Sequence, residues 1–152
     1  MKPITEIFPL LAQAEKKVII TVHQKPDADA MGSAMALKLF LLSFGHNVTI
    51  ISPTNWAGWV NWMPGTKEVL DFELKNDKEK VAAALQNVDW LFCLDFNAFY
   101  RTKTMTETLA SLQCTKILID HHQKPDEAAF DYGISDTQKS STCEMVYDII
   151  NA

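Results

Sequence analysis

The sequence predicts an α/β domain in which a mostly parallel sheet is covered by helices on both faces. Short apolar runs rich in β-branched residues alternate along the chain with amphipathic stretches of helical length. This alternation is typical of parallel sheets whose strands are buried on both sides. A chain of 152 residues with 47% hydrophobic residues fits one domain with a single core.

Five apolar runs are predicted to be the strands of this sheet. They cover residues 17–22, 47–52, 89–95, 116–120 and 131–135. The first helix is predicted over residues 30–44, ending at Gly45, a residue suited to the left-handed position after a helix. Its apolar spacing predicts a shared buried face formed by Met31, Met35, Leu39 and Leu42.

Three further helices follow in the sequence. They are predicted over residues 77–85, over residues 104–112, and from Ser140 or Ser141 onward. Asp77 is a candidate N-cap for the second helix. Glu144 follows three residues after Ser141, which is the spacing of a capping box at the start of the last helix.

Composition and charge exclude several classes of protein. A net charge of −5 and a pI of about 5.3 argue against a broad surface for duplex nucleic acid, although metal ions would allow a small anion to bind. Three cysteines with no Cys-x-x-Cys pair predict reduced thiols in a cytoplasmic protein. No segment resembles a signal peptide or reaches the roughly 20 apolar residues of a membrane helix. We therefore expect a soluble protein with no membrane partner.

Carboxylates and imidazoles follow three of the predicted strands. The first strand is followed by His23, Asp27 and Asp29, the third ends at Asp95, and the fourth ends at Asp120 and is followed by His121 and His122. Because open α/β sheets bind ligands beyond the carboxyl ends of their strands, these side chains are expected to converge. Carboxylates brought together repel one another unless a cation intervenes. The pattern therefore predicts a metal site.

The donor types predict the metal and the reaction. Oxygen and nitrogen ligands without thiolate suit Mn²⁺, Mg²⁺ or Fe²⁺, with Mn²⁺ as the first choice. Asp27 and Asp29 can reach two different ions, and Asp95 can bridge them from a neighbouring strand. Two such ions support phosphoester hydrolysis by a metal-activated water.

The adjacent residues His121 and His122 are predicted to have different roles. Successive side chains of an extended segment point in opposite directions. One histidine is therefore predicted to bind metal and the other to meet a substrate phosphate. Asp120 is predicted to act behind them, by accepting an imidazole or backbone N–H and fixing the orientation of the ligand.

Other polar residues are candidates for binding the phosphate. Gly32 and Ser33 open the first predicted helix, where free backbone N–H groups favour an anion. Ser140 and Ser141 are candidates for the same role at the last helix, or for N-capping alone. Arg101 either binds phosphate through both guanidinium donors or pairs with an acid.

Three tryptophans lie in one predicted connection. Trp56, Trp59 and Trp62 are spaced by three residues, so on a helical turn they would share a face. Such a face suits base stacking or packing beneath a long connection or against another domain.

Four motifs, in their order along the chain, resemble those of a known protein family. They are His23-Gln-Lys-Pro-Asp27-Ala-Asp29-Ala-Met-Gly32-Ser33, the lone Asp95, Asp120-His121-His122, and Ser140-Ser-Thr-Cys-Glu144. Together they resemble the DHH phosphoesterase family, especially its branch of nano-RNases and pAp phosphatases. The resemblance implies a Rossmann-like, three-layer domain that binds two Mn²⁺ ions. It implies that one ion is held by His23, Asp27 and Asp95. It implies that the other ion is held by Asp29, Asp95 and His121, and that His122 contacts the substrate phosphate.

The resemblance also implies a function and a domain organisation. The expected activity is hydrolysis of short single-stranded oligoribonucleotides or of 3′-phosphoadenosine 5′-phosphate (pAp). A phosphodiesterase for cyclic or linear dinucleotides, and a non-catalytic nucleotide-binding module with an incomplete metal site, are the alternatives. Family members continue into another aspartate motif and a smaller substrate-binding domain. Residues 1–152 are therefore expected to be the N-terminal DHH domain, nearly inactive alone, with that C-terminal domain or a second copy as its partner.

Overall fold

A seven-stranded sheet organises the structure, a computed structural model that describes all 152 residues. The strands are β1 (Lys2–Pro3), β2 (Lys17–Thr21), β3 (Asn47–Ser52), β4 (Leu70–Asp71), β5 (Trp90–Leu94), β6 (Thr115–Asp120) and β7 (Tyr132–Ser135). Their order across the sheet is β1-β7-β6-β5-β2-β3-β4, and every neighbouring pair is parallel. The five predicted strands are all present in this sheet.

Helices cover the sheet on both faces. The α-helices are α1 (Ala28–Leu42), α2 (Lys78–Ala84), α3 (Thr106–Ser111) and α4 (Thr142–Asn151). Short 3-10 helices occupy Ile4–Leu10, Gly58–Val60, Thr66–Glu68, Lys75–Asp77, Phe99–Met105 and Glu127–Ala129. None of these helices has both the length and the apolar character needed to cross a bilayer.

Alternation along the central strand creates the two hydrophobic layers. Val18 and Ile20 of β2 belong to the core under α1 and α4, whereas Ile19 belongs to the core under α2 and α3. Successive side chains of a strand point to opposite faces, so an uninterrupted apolar run fills both layers. The predicted three-layer, Rossmann-like α/β class is confirmed.

The first helix differs from its prediction in its start and in its buried face. It begins at Ala28, because the Asp27 carboxylate caps it by accepting a hydrogen bond from the Ala30 N–H at 3.0 Å. Met31 and Met35 are buried as predicted, but Leu39 and Leu42 are 65% and 42% exposed. Apolar residues surround most of this helix, so their spacing could not identify the side that packs on the sheet.

The capping predictions for two other helices had different outcomes. Asp77 does not cap α2, because the backbone there continues a 3-10 turn and its carboxylate accepts from the Asp71 N–H instead, at 2.9 Å. Ser141 does cap α4, with its hydroxyl accepting from the Glu144 N–H at 3.1 Å. The Glu144 carboxylate reaches the Ser140 N–H rather than the Ser141 N–H expected for a capping box.

Two edge strands and a helix junction were not predicted. Strands β1 and β4 contain two residues each, too few to show a hydrophobic period. The predicted helix over residues 104–112 divides into the end of the 3-10 helix Phe99–Met105 and the separate helix α3.

The order of the strands locates the functional edge of the sheet. From β2 the chain moves outward to β3 and β4, then returns to place β5 on the opposite side of β2. Ligands of open α/β sheets bind at the carboxyl ends of the strands where the order reverses in this way. His23 follows β2 and Asp95 follows β5, so both residues lie at this switch point.

Candidate metal centre

His23 presents one ring nitrogen to two carboxylates. Its Nδ1 lies 2.6 Å from the Gln24 carbonyl oxygen; because a carbonyl only accepts, Nδ1 carries the proton. The free Nε2 lies 3.4 Å from Asp95 Oδ2 and 3.8 Å from Asp27 Oδ1. Burial lowers the pKa of His23, but the hydrogen bonds to Asp95 and Gln24 and the charges of Asp95 and Asp27 outweigh it and raise the pKa. A cation therefore competes with a proton at this nitrogen, and acid should weaken metal binding.

Asp95 lies at the centre of the cluster. Its Oδ2 faces His23 and its Oδ1 lies 3.4 Å from His121 Nε2. The residue is 2% exposed and has a positive φ of 65°, a left-handed conformation that costs a non-glycine residue about 1 kcal/mol. Its N–H donates to the Ile119 carbonyl of the adjacent strand at 3.1 Å. The sheet thus holds the turn that directs one carboxylate oxygen to each histidine, as predicted for a bridging ligand.

Asp29 connects the first helix to the last. Its two carboxylate oxygens accept from the N–H groups of Thr142 at 3.0 Å and Cys143 at 2.8 Å, and Oδ2 lies 3.6 Å from His121 Nε2. Burial raises the pKa of Asp29, but these backbone hydrogen bonds outweigh it and lower the pKa. The ionised carboxylate therefore occupies the positive end of α4 while facing His121.

Thr142 is a site residue that the sequence reasoning did not select. Its hydroxyl donates to Asp95 Oδ1 at 3.0 Å and its N–H donates to Asp29. The side chain is fully buried. It therefore fixes two of the central carboxylates relative to each other. Its place beside Ser140 and Ser141 indicated anion binding or helix capping and not a contact with the central carboxylates, although that segment follows a strand ending at the same edge of the sheet.

We expect Thr142→Val to lower the free energy of unfolding of the metal-free chain by about 1.5–3 kcal/mol, the contribution of a hydrogen bond to a charged group. Valine keeps the branched shape but removes the hydroxyl, which leaves Asp95 Oδ1 without its donor. Urea unfolding measures the change. Thr142→Ser is the matched control, because it keeps the hydroxyl. Equal losses in the two variants would show that packing, and not the hydrogen bond, is responsible.

Asp120 and His122 form a second, tighter pair. His122 Nδ1 lies 2.6 Å from Asp120 Oδ1, and Asp120 is fully buried. The bond fixes the ring and leaves Nε2 as the nitrogen available to a ligand. This agrees with the prediction that Asp120 orients an imidazole. The other Asp120 oxygen, Oδ2, is buried without a hydrogen-bond partner.

The donor atoms form two overlapping sets that fit divalent cations. The ligand atoms of each set lie within 4.8 Å of one another, and the sets are His23, Asp27 and Asp95, and Asp95, His121 and His122. Two donors bound to one ion at about 2.1 Å lie about 3.0–3.5 Å apart, close to the separations of 3.4–3.8 Å from His23. The first set is the one that the family resemblance implies. The second contains His122, where the resemblance implies Asp29.

The charges around the cluster also favour a cation. No lysine or arginine forms an ion pair with Asp27, Asp29, Asp95 or Asp120. Burial and the hydrogen bond to Asp29 raise the pKa of the neighbouring Cys143 thiol to about 12. Cys143 belongs to neither donor set, so the donors are oxygen and nitrogen, which suits Mn²⁺, Mg²⁺ or Fe²⁺.

The structure corrects the predicted phosphate-binding roles of Gly32 and Ser33. Because α1 begins at Ala28, both residues lie past the free N–H groups of its first turn. A Cβ at Gly32 would lie 3.2 Å from Cys143 Sγ, so glycine here permits α1 and α4 to approach closely. Ser33 is fully buried and its hydroxyl donates to the Ala30 carbonyl at 3.1 Å, out of reach of a substrate.

Ser140 and Ser141 have capping roles in this structure. The Ser141 hydroxyl accepts from the Glu144 N–H, and both the N–H and the hydroxyl of Ser140 donate to the Glu144 carboxylate. Asp29 supplies the anion at this helix terminus, so the predicted phosphate site is already filled by a side chain of the protein.

Arg101 lies beside the first motif without an acidic partner. Its carbonyl accepts from the Gln24 N–H at 2.9 Å, which ties the 3-10 helix Phe99–Met105 to the loop after β2. Its guanidinium forms no salt bridge. Of the two predicted alternatives, pairing with an acid is therefore wrong, and binding to a phosphate stays a prediction.

The three tryptophans of the connection after β3 differ in their burial. Trp56 is half-buried, packs against the larger core, and donates from Nε1 to Asn61 Oδ1 at 2.9 Å. Trp59 and Trp62 are 65% and 76% exposed. Packing beneath the connection therefore accounts for Trp56 alone.

Comparisons with known proteins agree with this geometry. The matching family is described as the DHH family, N-terminal domain, and the match covers residues 17–152. Among solved structures, the chain is similar to an exopolyphosphatase-related protein from Bacteroides fragilis, at 34% sequence identity and a TM-score of 0.88. That match covers 96% of this chain but only 42% of the other. No curated protein matches the chain.

These matches confirm the family-level resemblance, whereas the nano-RNase and pAp phosphatase branch stays a prediction. The matched residues include every member of the two donor sets. The chain belongs to the DHH family, whose N-terminal domain it contains over residues 17–152.

Proposed function

We propose that this chain forms the metal-binding domain of a two-metal phosphoesterase. The observation that carries the proposal is the position of Asp95, which directs one carboxylate oxygen to His23 and the other to His121, each at 3.4 Å. A single carboxylate shared by two donor sets is what a pair of ions at about 3.5–4 Å separation requires. When bound, such ions supply a water nucleophile and neutralise the phosphate.

Two residues near this centre are proposed to contact the substrate phosphate. Asp120 holds His122 through Nδ1 at 2.6 Å, so the imidazolium form of His122 donates a hydrogen bond or a proton from Nε2 to the phosphate. Arg101 lies next to the loop that carries His23 and Asp27, and its guanidinium is free of ion pairs. It supplies two parallel donors for the substrate phosphate.

The proposed substrates are pAp and short oligoribonucleotides, with Mn²⁺ as the metal. Support comes from the spacing of the first motif, His23 to Ser33, and from donor atoms that are all oxygen or nitrogen. A net charge of −5 fits a small substrate held by metal ions better than a long polyanion held by lysines and arginines.

Polyphosphate is a second candidate substrate. The observation in its favour is the similarity to a protein called exopolyphosphatase-related. The two donor sets would serve a phosphoanhydride and a phosphodiester equally, so the substrates are separated by the surface around the centre and not by the centre itself. The chain spans 42% of that neighbour's length.

Metal titration combined with a substrate comparison tests the proposal. The 152-residue chain should bind Mn²⁺ in calorimetry, and its melting temperature should rise with Mn²⁺ because only the folded state holds the ligands together. The complete natural protein with Mn²⁺ should release phosphate from pAp and mononucleotides from dinucleotides faster than it releases phosphate from tripolyphosphate. Absence of Mn²⁺ binding by the chain would refute the metal centre, and faster cleavage of tripolyphosphate would refute the proposed substrates.

A further inference from the structure

A cleft opens directly beside the metal centre. Its volume is about 420 Å³, and its walls include Lys25, Asp27, Asn55, Trp56 and Trp59. Asp27 also belongs to the first donor set, so the cleft and the candidate metal centre share this residue. Sites for small organic ligands have volumes of about 300–1,000 Å³. The volume of this cleft, which we call the Trp59 cleft, falls within that range.

One wall of the Trp59 cleft is fixed and carries a free aromatic face. The 3-10 helix Gly58–Val60 is anchored by Val60, which is fully buried. Trp56 is held by packing and by its hydrogen bond to Asn61. Trp59, between these two anchors in the sequence, leaves 65% of its surface exposed. The anchors position this indole without covering it, so its ring is available to a ligand.

The opposite wall is also held in place. The Lys25 N–H donates to the Thr54 hydroxyl at 2.6 Å, which joins the loop after β2 to the connection after β3. Lys25 itself adopts a positive φ of 44°, a conformation that the hydrogen bond helps to maintain. The loop that carries Asp27 and the connection that carries Trp59 therefore face each other across the cleft as two tethered segments.

The chemistry of the lining selects the ligand. Lys25 and Asp27 contribute one charge of each sign, and the remaining lining residues include the two tryptophans Trp56 and Trp59. A chain of phosphates would need several cations along its path, whereas a flat heterocycle needs an aromatic surface and a few polar partners. The amide of Asn55 offers both a donor and an acceptor to the edge of such a ring.

We propose that the Trp59 cleft is a nucleobase subsite, in which Trp59 stacks on the base of a nucleotide whose phosphate lies at the metal centre. The proposal rests on the proposed function, because the phosphate must be held at the centre that includes Asp27. It makes Trp59 a residue that determines specificity for nucleotides over phosphate compounds that lack a base.

Calorimetric binding of two ligands in the presence of Mn²⁺ tests this subsite. Adenosine 5′-monophosphate carries the base, and ribose 5-phosphate lacks it. We expect Trp59→Ala to weaken binding of the nucleotide roughly 5- to 100-fold, the usual effect of removing an aromatic stacking partner, and to leave the binding of ribose 5-phosphate unchanged. Trp59→Phe, which keeps a smaller aromatic face, should show an intermediate loss.

Trp62→Ala is the matched control. Trp62 is the more exposed of the two tryptophans but does not line the cleft, so its removal should leave the binding of both ligands unchanged. Unchanged nucleotide affinity in Trp59→Ala, or an equal loss for ribose 5-phosphate, would overturn the subsite while Mn²⁺ binding by the unmodified chain upholds the metal centre. Failure of the unmodified chain to bind Mn²⁺ would overturn both.

Discussion

Replacing Asp95 with asparagine should reduce phosphoester hydrolysis by the complete natural protein by about 10³-fold or more. The ions are expected to contribute several kcal/mol of transition-state stabilisation, and about 1.4 kcal/mol corresponds to a tenfold change in rate. Because Asp95 lies between His23 and His121, its neutralisation weakens both donor sets at once. Rates measured with pAp or a dinucleotide at saturating Mn²⁺ check this expectation.

The same substitution should not destabilise the metal-free chain. The buried carboxylate of Asp95 has no lysine or arginine partner, so without a cation its charge is unfavourable. Asparagine keeps an oxygen that accepts from Thr142 and tolerates the positive φ of this residue. The free energy of unfolding without metal should therefore be unchanged or higher, whereas the rise in melting temperature on addition of Mn²⁺ should disappear.

Glu107→Gln is the control for Asp95→Asn. Glu107 is exposed in the first turn of α3, and its substitution removes one negative charge without touching the cluster. It should leave hydrolysis and Mn²⁺ binding unchanged. Normal Mn²⁺ affinity and near-normal hydrolysis in Asp95→Asn would contradict the bridging role, whatever the behaviour of the control.

His122→Ala is expected to lower the rate of hydrolysis by about 10²–10⁴-fold, the usual contribution of a positioned acid or base, while Mn²⁺ affinity changes little. The reason is the contact at 2.6 Å with Asp120, which occupies Nδ1 and leaves Nε2 for the substrate. Steady-state rates measured together with calorimetric Mn²⁺ titration separate loss of chemistry from loss of metal.

Two further variants distinguish the roles open to His122. Asp120→Asn keeps the shape of the carboxylate but removes its charge, so the rate should fall by about 10- to 100-fold and the pH profile should shift. Gln123→Ala, at the exposed neighbouring position, should change neither rate nor Mn²⁺ affinity. If His122→Ala lost Mn²⁺ affinity to the same extent as Asp95→Asn, His122 would be a metal ligand, in line with its proximity to Asp95 and His121.

Much of the fold was predictable because the signals are local. The runs that became β2, β3, β5 and β6 are rich in apolar residues, as a strand buried on both faces requires. Their boundaries differ from the predicted ranges by at most one residue at either end. The two-residue edge strands and the exposure of Leu39 were not predictable, since edge pairing and the orientation of an apolar helix depend on distant partners.

In the candidate site, too, some residues could be predicted from the sequence and others could not. His23, Asp27, Asp29, Asp95 and His121 were predicted from donor type and from their positions after strands, and the structure brings them together. Thr142 was missed because its role depends on contact with Asp29, 113 residues away in the sequence. The position of the last helix after β7 placed its start at the same edge of the sheet, but its contact with that carboxylate could not be predicted from the sequence.

By itself, the sequence determined which elements form and which side chains are able to bind a divalent ion, because hydrophobic period and donor chemistry are properties of short segments. Only the tertiary structure decided that β5 lies next to β2, that Ser33 is buried, that α4 donates its first N–H groups to Asp29, and that Trp59 borders a cleft reaching Asp27. These features depend on how segments far apart in the chain pack around two hydrophobic layers, and packing is a property of the whole domain.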